Sequence, residues 1–326
     1  MGRILVTGAT GFTGSALTRR LVQEGHQVTA FVRESSDVTG LQELGVEIVR
    51  LDITDYEQVA RHMRPFDRVF HVAASFRREH ADLREFSRVN VDATRHLLQA
   101  ALDQGVGRFI HCSTIGVHGG VEPGATESYR FKPNDHYQRS KLEGELLAHE
   151  YFAKGLPGTV IRPAGIYGPG DRRFLKLFKA IKKGFFVMIG RGDTLFHMVY
   201  IDDLVQGFLL ASEREEALNE VFIIGSERHC TINEIVREVA AALHVRQPRL
   251  RVPLRPVYLA AALCEDAYRT LGLSSPPLYR RRVEFFQMNR SFDIGKARRL
   301  LGYEPRFDLK QGIEATARSY EALGLI

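Results

Sequence analysis

The segment Gly8-Ala9-Thr10-Gly11-Phe12-Thr13-Gly14 constrains the fold more than any other, because its glycines recur at every third residue between two segments of different periodicity. Before it, Ile4-Leu5-Val6 is a short apolar run of the kind a buried parallel strand shows. After it, residues 14–24 put Ala16, Leu17, Leu21 and Val22 on one helical stripe. A strand, a glycine turn and a helix in that order make a phosphate cradle. The backbone turns sharply and approaches a pyrophosphate closely, while the free amides and positive dipole end of the helix face the anion. Gly8, Thr10, Gly11, Phe12, Thr13 and Gly14 are therefore candidate contacts for a dinucleotide.

Strands are predicted next at 27–33, 46–51, 68–74, 108–113 and 158–161, with helices at 41–44, 56–63, 86–101 and 137–154 between them. This alternation predicts the α/β class: a doubly wound parallel sheet of Rossmann type with right-handed crossovers. The alternation loosens after Gly168-Pro169-Gly170. That places an NAD(P)-binding domain at 1–168 and a smaller, mostly helical C-terminal substrate lobe at 169–326. Short strands at 198–201 and 221–224 are expected to return to the sheet and complete it.

Composition narrows the function. The chain of 326 residues is 44% hydrophobic and 26% charged, which excludes disordered, collagenous and coiled-coil classes. Cys112, Cys230 and Cys264 are scattered and never in C-x-x-C spacing, so neither a disulfide framework nor a metal site is expected, and the compartment is read as reducing. The N-terminus lacks the apolar region of a signal peptide, and the longest later apolar run, 257–264, is far short of the roughly 20 residues of a bilayer span. A cytoplasmic protein with no integral membrane segment follows. The net charge of +6 comes mostly from arginines spread along helices, without basic blocks, so they are read as solvated faces and no nucleic-acid partner is expected. The expected partner is a small-molecule substrate.

At the end of the second strand the chain reads Val32-Arg33-Glu34-Ser35-Ser36. Arg33 stands where a ribose 2′-phosphate would lie, which favours NADP, while Glu34 keeps NAD open. Asp52, followed by Ile53, is placed either to accept from an adenine amine or to cap the helix behind it. Tyr137 and Lys141 stand at i and i+4, on one helix face. A phenol beside a fixed positive charge is drawn below its ordinary pKa near 10 and can shuttle a proton. Ser113 and Thr114 put hydroxyls at the mouth of the fifth strand, where one could polarise a substrate oxygen or simply cap a turn. Asn90, a poor helix former at an interior helical position, either completes the candidate catalytic set of Tyr137, Lys141, Thr114, Ser113 and Asn90 or merely anchors a backbone carbonyl.

Together these residues resemble the extended short-chain dehydrogenase/reductase family. The likeness runs through GATGFTG at 8–14, HVAA at 71–74, YQRSK at 137–141, IRPAGIYGPGD at 161–171 and HMVYIDDL at 197–204. The resemblance implies Tyr137 as general acid/base, Lys141 on the nicotinamide ribose, and Thr114 as substrate-oxygen donor with Ser113 beside it. It also implies Ala73 and Ala74 backing the cofactor, Pro163 against the nicotinamide, and a homodimer. The implied reaction is hydride transfer at a secondary alcohol or ketone, of a nucleotide-sugar-like substrate. Two departures open an alternative, a dehydrogenase or reductase of an apolar, steroid- or isoprenoid-like alcohol. Phe196 takes the place of the arginine that pairs a diphosphate in sugar-nucleotide epimerases, and residues 281–286 lack the later arginine signature. Tyr258, Leu259, Leu263, Phe285 and Phe286 would suit an apolar substrate wall, though stripes like these are more often plain core. A non-catalytic NADP-binding sensor is the third reading.

Overall fold

Strand residues alternate between the two faces of a sheet, and this chain has apolar residues for both. In β1 (Arg3–Thr7), Ile4 and Val6 pack on one side with Leu204 and Phe208, while Leu5 packs on the other with Leu97 and Phe109. The computed structural model describes residues 1–76, 83–273, 276–284 and 286–326. Its central sheet adds β2 (Gln27–Val32), β3 (Glu47–Arg50), β4 (Arg68–His71), β5 (Phe109–Cys112), β6 (Gly158–Pro163) and a seventh strand, Val221–Ile224. From one edge to the other the order is seventh, β6, β5, β4, β1, β2, β3, and every pairing is parallel. The order reverses between β1 and β4, so a crevice opens beyond the carboxyl ends of those strands.

Of the two segments expected to rejoin the sheet, only Val221–Ile224 does. It fills the outer edge of β6, with Ile224 opposite Pro163. Met198–Tyr200 pairs instead with Gly165–Tyr167, just past the end of β6, in a separate two-stranded ladder. The helix predicted at 86–101 is also interrupted: Leu83–Ser87 leads into a π-helical turn, Arg88–Asp92, before helix Ala93–Asp103. The widened turn lies against Gly144, where an added Cβ would come within 2.4 Å of the Asn90 carbonyl oxygen. A third apolar cluster, including Phe178, Val236, Ile313 and Tyr320, forms the core of the helical second lobe. Among the described residues, no helix is long and apolar enough to cross a membrane.

Candidate functional site

A cleft of about 2000 Å³ runs along the carboxyl ends of the strands between the two lobes. The glycine turn forms its floor. Gly8 takes a φ of +74°, and a Cβ there would sit 2.7 Å from the Ala73 nitrogen; one on Gly14 would sit 2.1 Å from the Gly8 carbonyl oxygen. Glycine at both positions is thus required by backbone approach. Gly11 is the N-cap of helix Phe12–Gln23 and supplies no side-chain cap, which leaves first-turn amides to be satisfied by a ligand. These features fit a dinucleotide pyrophosphate.

A hydrogen-bond relay fixes the strand end beside the turn. The Ala73 amide donates to Thr7 Oγ1 at 3.3 Å, and Thr7 Oγ1 meets His71 Nδ1 at 2.8 Å. His71 Nε2 lies 2.9 Å from Thr94 Oγ1, whose hydroxyl donates to the Asn90 carbonyl at 2.9 Å. Because the Thr94 proton is committed, His71 Nε2 carries the hydrogen and Nδ1 accepts from Thr7, so the ring is neutral. Burial, helped by the Lys141 charge, pushes its pKa down to about 3.

His111 and His197, also buried, are likewise held below the ordinary value, chiefly by burial. Stability is therefore expected to fall on acidification. An unfolded histidine takes up a proton near 6.5, whereas these three resist it. The unfolded chain then binds more protons, so the stabilisation is complete above that pH and is lost as pH drops through and below it. Each ring contributes up to about 1.4 kcal/mol per pH unit. Urea unfolding midpoints at pH 7, 6 and 5 measure this, and a flat series would show that the folded rings accept protons freely.

At the end of the cleft beyond β2 and β3 the lining is Arg33, Glu34, Ser35, Ser36, Asp52 and Ile53, the residues expected from the sequence to face an adenosine. Asp52 does not cap the following helix. Its Oδ1 accepts from the Thr54 amide at 2.9 Å and from the Thr54 hydroxyl, while Asp55 caps helix Tyr56–His62. Sequence reasoning missed Arg50, which also lines the cleft and donates to the carbonyls of Arg33 and Glu34, bracing the turn that carries Arg33. Its position at the end of β3, next to β2, is the signal that could have found it.

At the opposite end Thr114, Tyr137, Lys141, Ala73, Ala74 and Pro163 share the cleft. The fully buried Lys141 ammonium donates to the Cys112 carbonyl at 2.6 Å, and burial lowers its pKa. Tyr137 is held edge-on by Phe76, ring centres 5.0 Å apart, and by Phe86. Thr114 Oγ1 accepts from the Gly116 amide at 3.0 Å, capping the turn Ile115–His118. Its own proton has no acceptor among the described residues, so the hydroxyl can cap and still donate to a substrate.

Two candidates serve differently. The Ser113 hydroxyl is committed to the buried carboxylate of Glu145. Asn90 does not line the cleft: its amide donates to the Ser75 carbonyl at 3.1 Å and to Ser140 Oγ at 2.9 Å, and its oxygen accepts from the Ser75 amide at 2.8 Å. It ties the loop after β4 to the helix that carries Tyr137. Behind Ser113 lies a buried network that the sequence reading did not find. Arg162 pairs with Glu145 and donates to the Glu127 carbonyl at 2.7 Å and to His118 Nε2 at 3.0 Å. A guanidinium only donates, so His118 carries its proton on Nδ1, facing the Arg130 carbonyl.

The second-lobe wall contains Phe196, Tyr268, Leu273, Pro276, Pro277 and Phe286. Leu259 and Leu263, expected in an apolar wall or in the core, are exposed and in neither, and Tyr258 is not part of the lining. Phe285 and the side chains of Arg281 and Arg282 lie outside the described residues. Arg280 is engaged by Asp266 at 2.6 Å. No cluster of three or more potential metal ligands occurs among the described residues.

Residues 4–225 match the model of the NAD dependent epimerase/dehydratase family. The chain is 32% identical to a 3-beta-hydroxysteroid dehydrogenase of Mycolicibacterium neoaurum, across 96% of this chain and 90% of that protein. Among solved structures it superposes on gox2253 with a TM-score of 0.86 at 28% identity, covering 99% of both chains. It superposes on the UDP-glucuronic acid 4-epimerase of Bacillus cereus, solved with NAD, with a TM-score of 0.78 at 25% identity, covering 98% of this chain and 99% of that one.

Proposed function

The chain belongs to the NAD-dependent epimerase/dehydratase family, and from that premise we propose an NADP-preferring oxidoreductase acting on an apolar secondary alcohol, steroid- or isoprenoid-like in shape, or on its ketone. One observation carries this reading: Phe196 stands in the wall at the position of the missing arginine, in a lining that sets Phe286, Tyr268, Leu273 and two prolines among Glu265, Arg269, Glu284 and Arg290. A phenyl ring cannot pair a diphosphate, and it favours an apolar ring system. The 3-beta-hydroxysteroid dehydrogenase name of the Mycolicibacterium relative supports the same substrate class.

When bound, the nicotinamide supplies the hydride acceptor or donor. The chain's own residues handle the oxygen. Thr114 donates its free proton to the substrate oxygen, Tyr137 gives or takes the proton on that oxygen, and Lys141 holds a positive charge at the cleft floor. Arg33, Arg50, Ser35 and Ser36 gather at the adenosine end, which favours a 2′-phosphate. The three free cysteines are in keeping with a reducing, cytoplasmic setting.

A second reading, a nucleotide-sugar substrate, is favoured by Arg290. This residue lines the same wall with its guanidinium 5.9 Å from the Phe196 ring centre, returning a cation to the neighbourhood of the lost arginine. Steady-state assays with NADPH and NADP against hydrophobic ketones and sterols, and in parallel against UDP- and dTDP-sugars, separate the two. The apolar substrates are expected to show kcat/KM at least ~100-fold higher, about 3 kcal/mol of transition-state discrimination. The reverse order would establish the sugar reading. Arg33→Asp should raise the KM for NADP by roughly tenfold or more while sparing NAD.

A further inference from the structure

A helix on a protein surface ordinarily turns its apolar stripe toward the core. Helix Leu254–Thr270 has apolar residues on its inner side, Leu254, Val257 and Ala261, and turns a second apolar stripe to solvent. Pro256, Leu259, Ala260, Leu263 and Ala267 follow one another at helical spacing, and all are exposed, Leu259 at 63% and Leu263 at 73%. Ala261 is the one residue buried in the whole helix. Among its polar residues Asp266 pairs with Arg280, Glu265 and Tyr268 line the cleft, and Arg255, Arg269 and Thr270 are exposed beside the stripe. The stripe runs on into Leu271, 70% exposed, just past the helix.

The surroundings of this stripe are basic. Strand Arg251–Val252, just before the helix, pairs with Met188–Ile189, which brings exposed Leu250 beside the segment that carries exposed Phe185. Residues 174–190 hold four lysines and no acid, and residues 244–264 hold four arginines and no acid, against a net charge of +6 for the entire chain. Lys182, Lys183, Arg249 and Arg255 are all exposed.

We propose that this face docks the protein onto an anionic lipid bilayer, with the stripe at the headgroup and acyl boundary and the flanking cations on acidic headgroups. A second copy of the chain fits the face poorly, because a two-fold contact there would set basic segments against each other. Docking would hold the cleft mouth, lined by Glu265, Tyr268 and Leu273, close to the lipid phase. The inference concerns the surface alone and does not depend on the substrate assigned above.

Flotation of the full chain with vesicles tests it. Vesicles containing about 30% phosphatidylglycerol are expected to bind at least ~10-fold more protein than phosphatidylcholine alone, and 0.5 M salt should erase most of the difference. Leu259→Asp with Leu263→Asp should lower binding roughly tenfold or more, as should Lys182→Ser with Lys183→Ser and Arg249→Ser. Both variants should keep wild-type NADP affinity and thermal unfolding. Equal binding to neutral and anionic vesicles, or wild-type binding by the leucine variant, overturns the proposal. So does a wild-type dimer in light scattering that the leucine variant converts to monomer, since a second copy would then cover the stripe.

Discussion

Tyr137→Phe is expected to lower kcat by about 10³-fold, within the 10² to 10⁴ that a positioned general acid/base contributes, while leaving NADP affinity unchanged. The substitution removes one oxygen and little else. The ring stays packed edge-on against Phe76, 5.0 Å away, and against Phe86, so the helix and the cleft wall keep their geometry. What is lost is a route for the substrate proton, because the neighbouring hydroxyls have other duties. Ser113 is committed to Glu145, and Thr114 already caps Gly116 while holding one proton to donate. Lys141 stays on the Cys112 carbonyl and has no phenol to assist. Single-turnover kinetics with the cofactor in excess would separate the chemical step from release, and fluorescence titration of NADPH would report binding. Unchanged turnover would remove Tyr137 from the chemistry.

The parts of this site that sequence made legible are those where local spacing and chemistry coincide. Glycines every third residue between a strand and a helix, and a phenol one helical turn before a lysine, each state their own geometry. Ser113 was not legible, because its partner Glu145 lies 32 residues away on another element and only the tertiary fold brings them together. The poor helix propensity of Asn90 signals a role without choosing between chemistry and a backbone anchor, and the structure shows the anchor, on Ser75. Leu259 and Leu263 show a further limit: periodicity says that a helix has an apolar face, but not which side of the molecule that face takes. The return of Val221–Ile224 to the sheet was visible as a short apolar run. The departure of Met198–Tyr200 from it depended on which strand claimed the edge of β6.

Glu145→Ala is expected to cost about 3–5 kcal/mol of stability, a large part of the 5–15 that a domain typically has. The Arg162 side chain is 3% exposed and its partner carboxylate 0%, so removing the carboxylate strands a buried cation. The remaining Arg162 contacts, the Glu127 carbonyl and His118 Nε2, satisfy hydrogen bonds without neutralising charge. His118 offers no compensation: burial and the adjacent guanidinium hold its pKa below the ordinary value, and a protonated ring would add a second buried cation. Glu145→Gln keeps an acceptor for Ser113 and Arg162 and should cost less, about 1–3 kcal/mol, so it serves as the folded comparison if the alanine variant fails to fold. Replacing both partners by apolar residues of similar volume, Glu145→Leu with Arg162→Met, should cost less than Glu145→Ala alone, because no charge is left unpaired. Urea unfolding at pH 7 measures all three. Catalysis should follow stability only in part: a neutral amide holds Ser113 and Arg162 less tightly than the carboxylate and loosens the strand end at Pro163, so the glutamine variant should lose several-fold in kcat with its NADP affinity retained. An alanine variant within 1 kcal/mol of wild type would mean that water or another acid reaches Arg162, and that the network beneath Thr114 is not what holds the cleft floor in place.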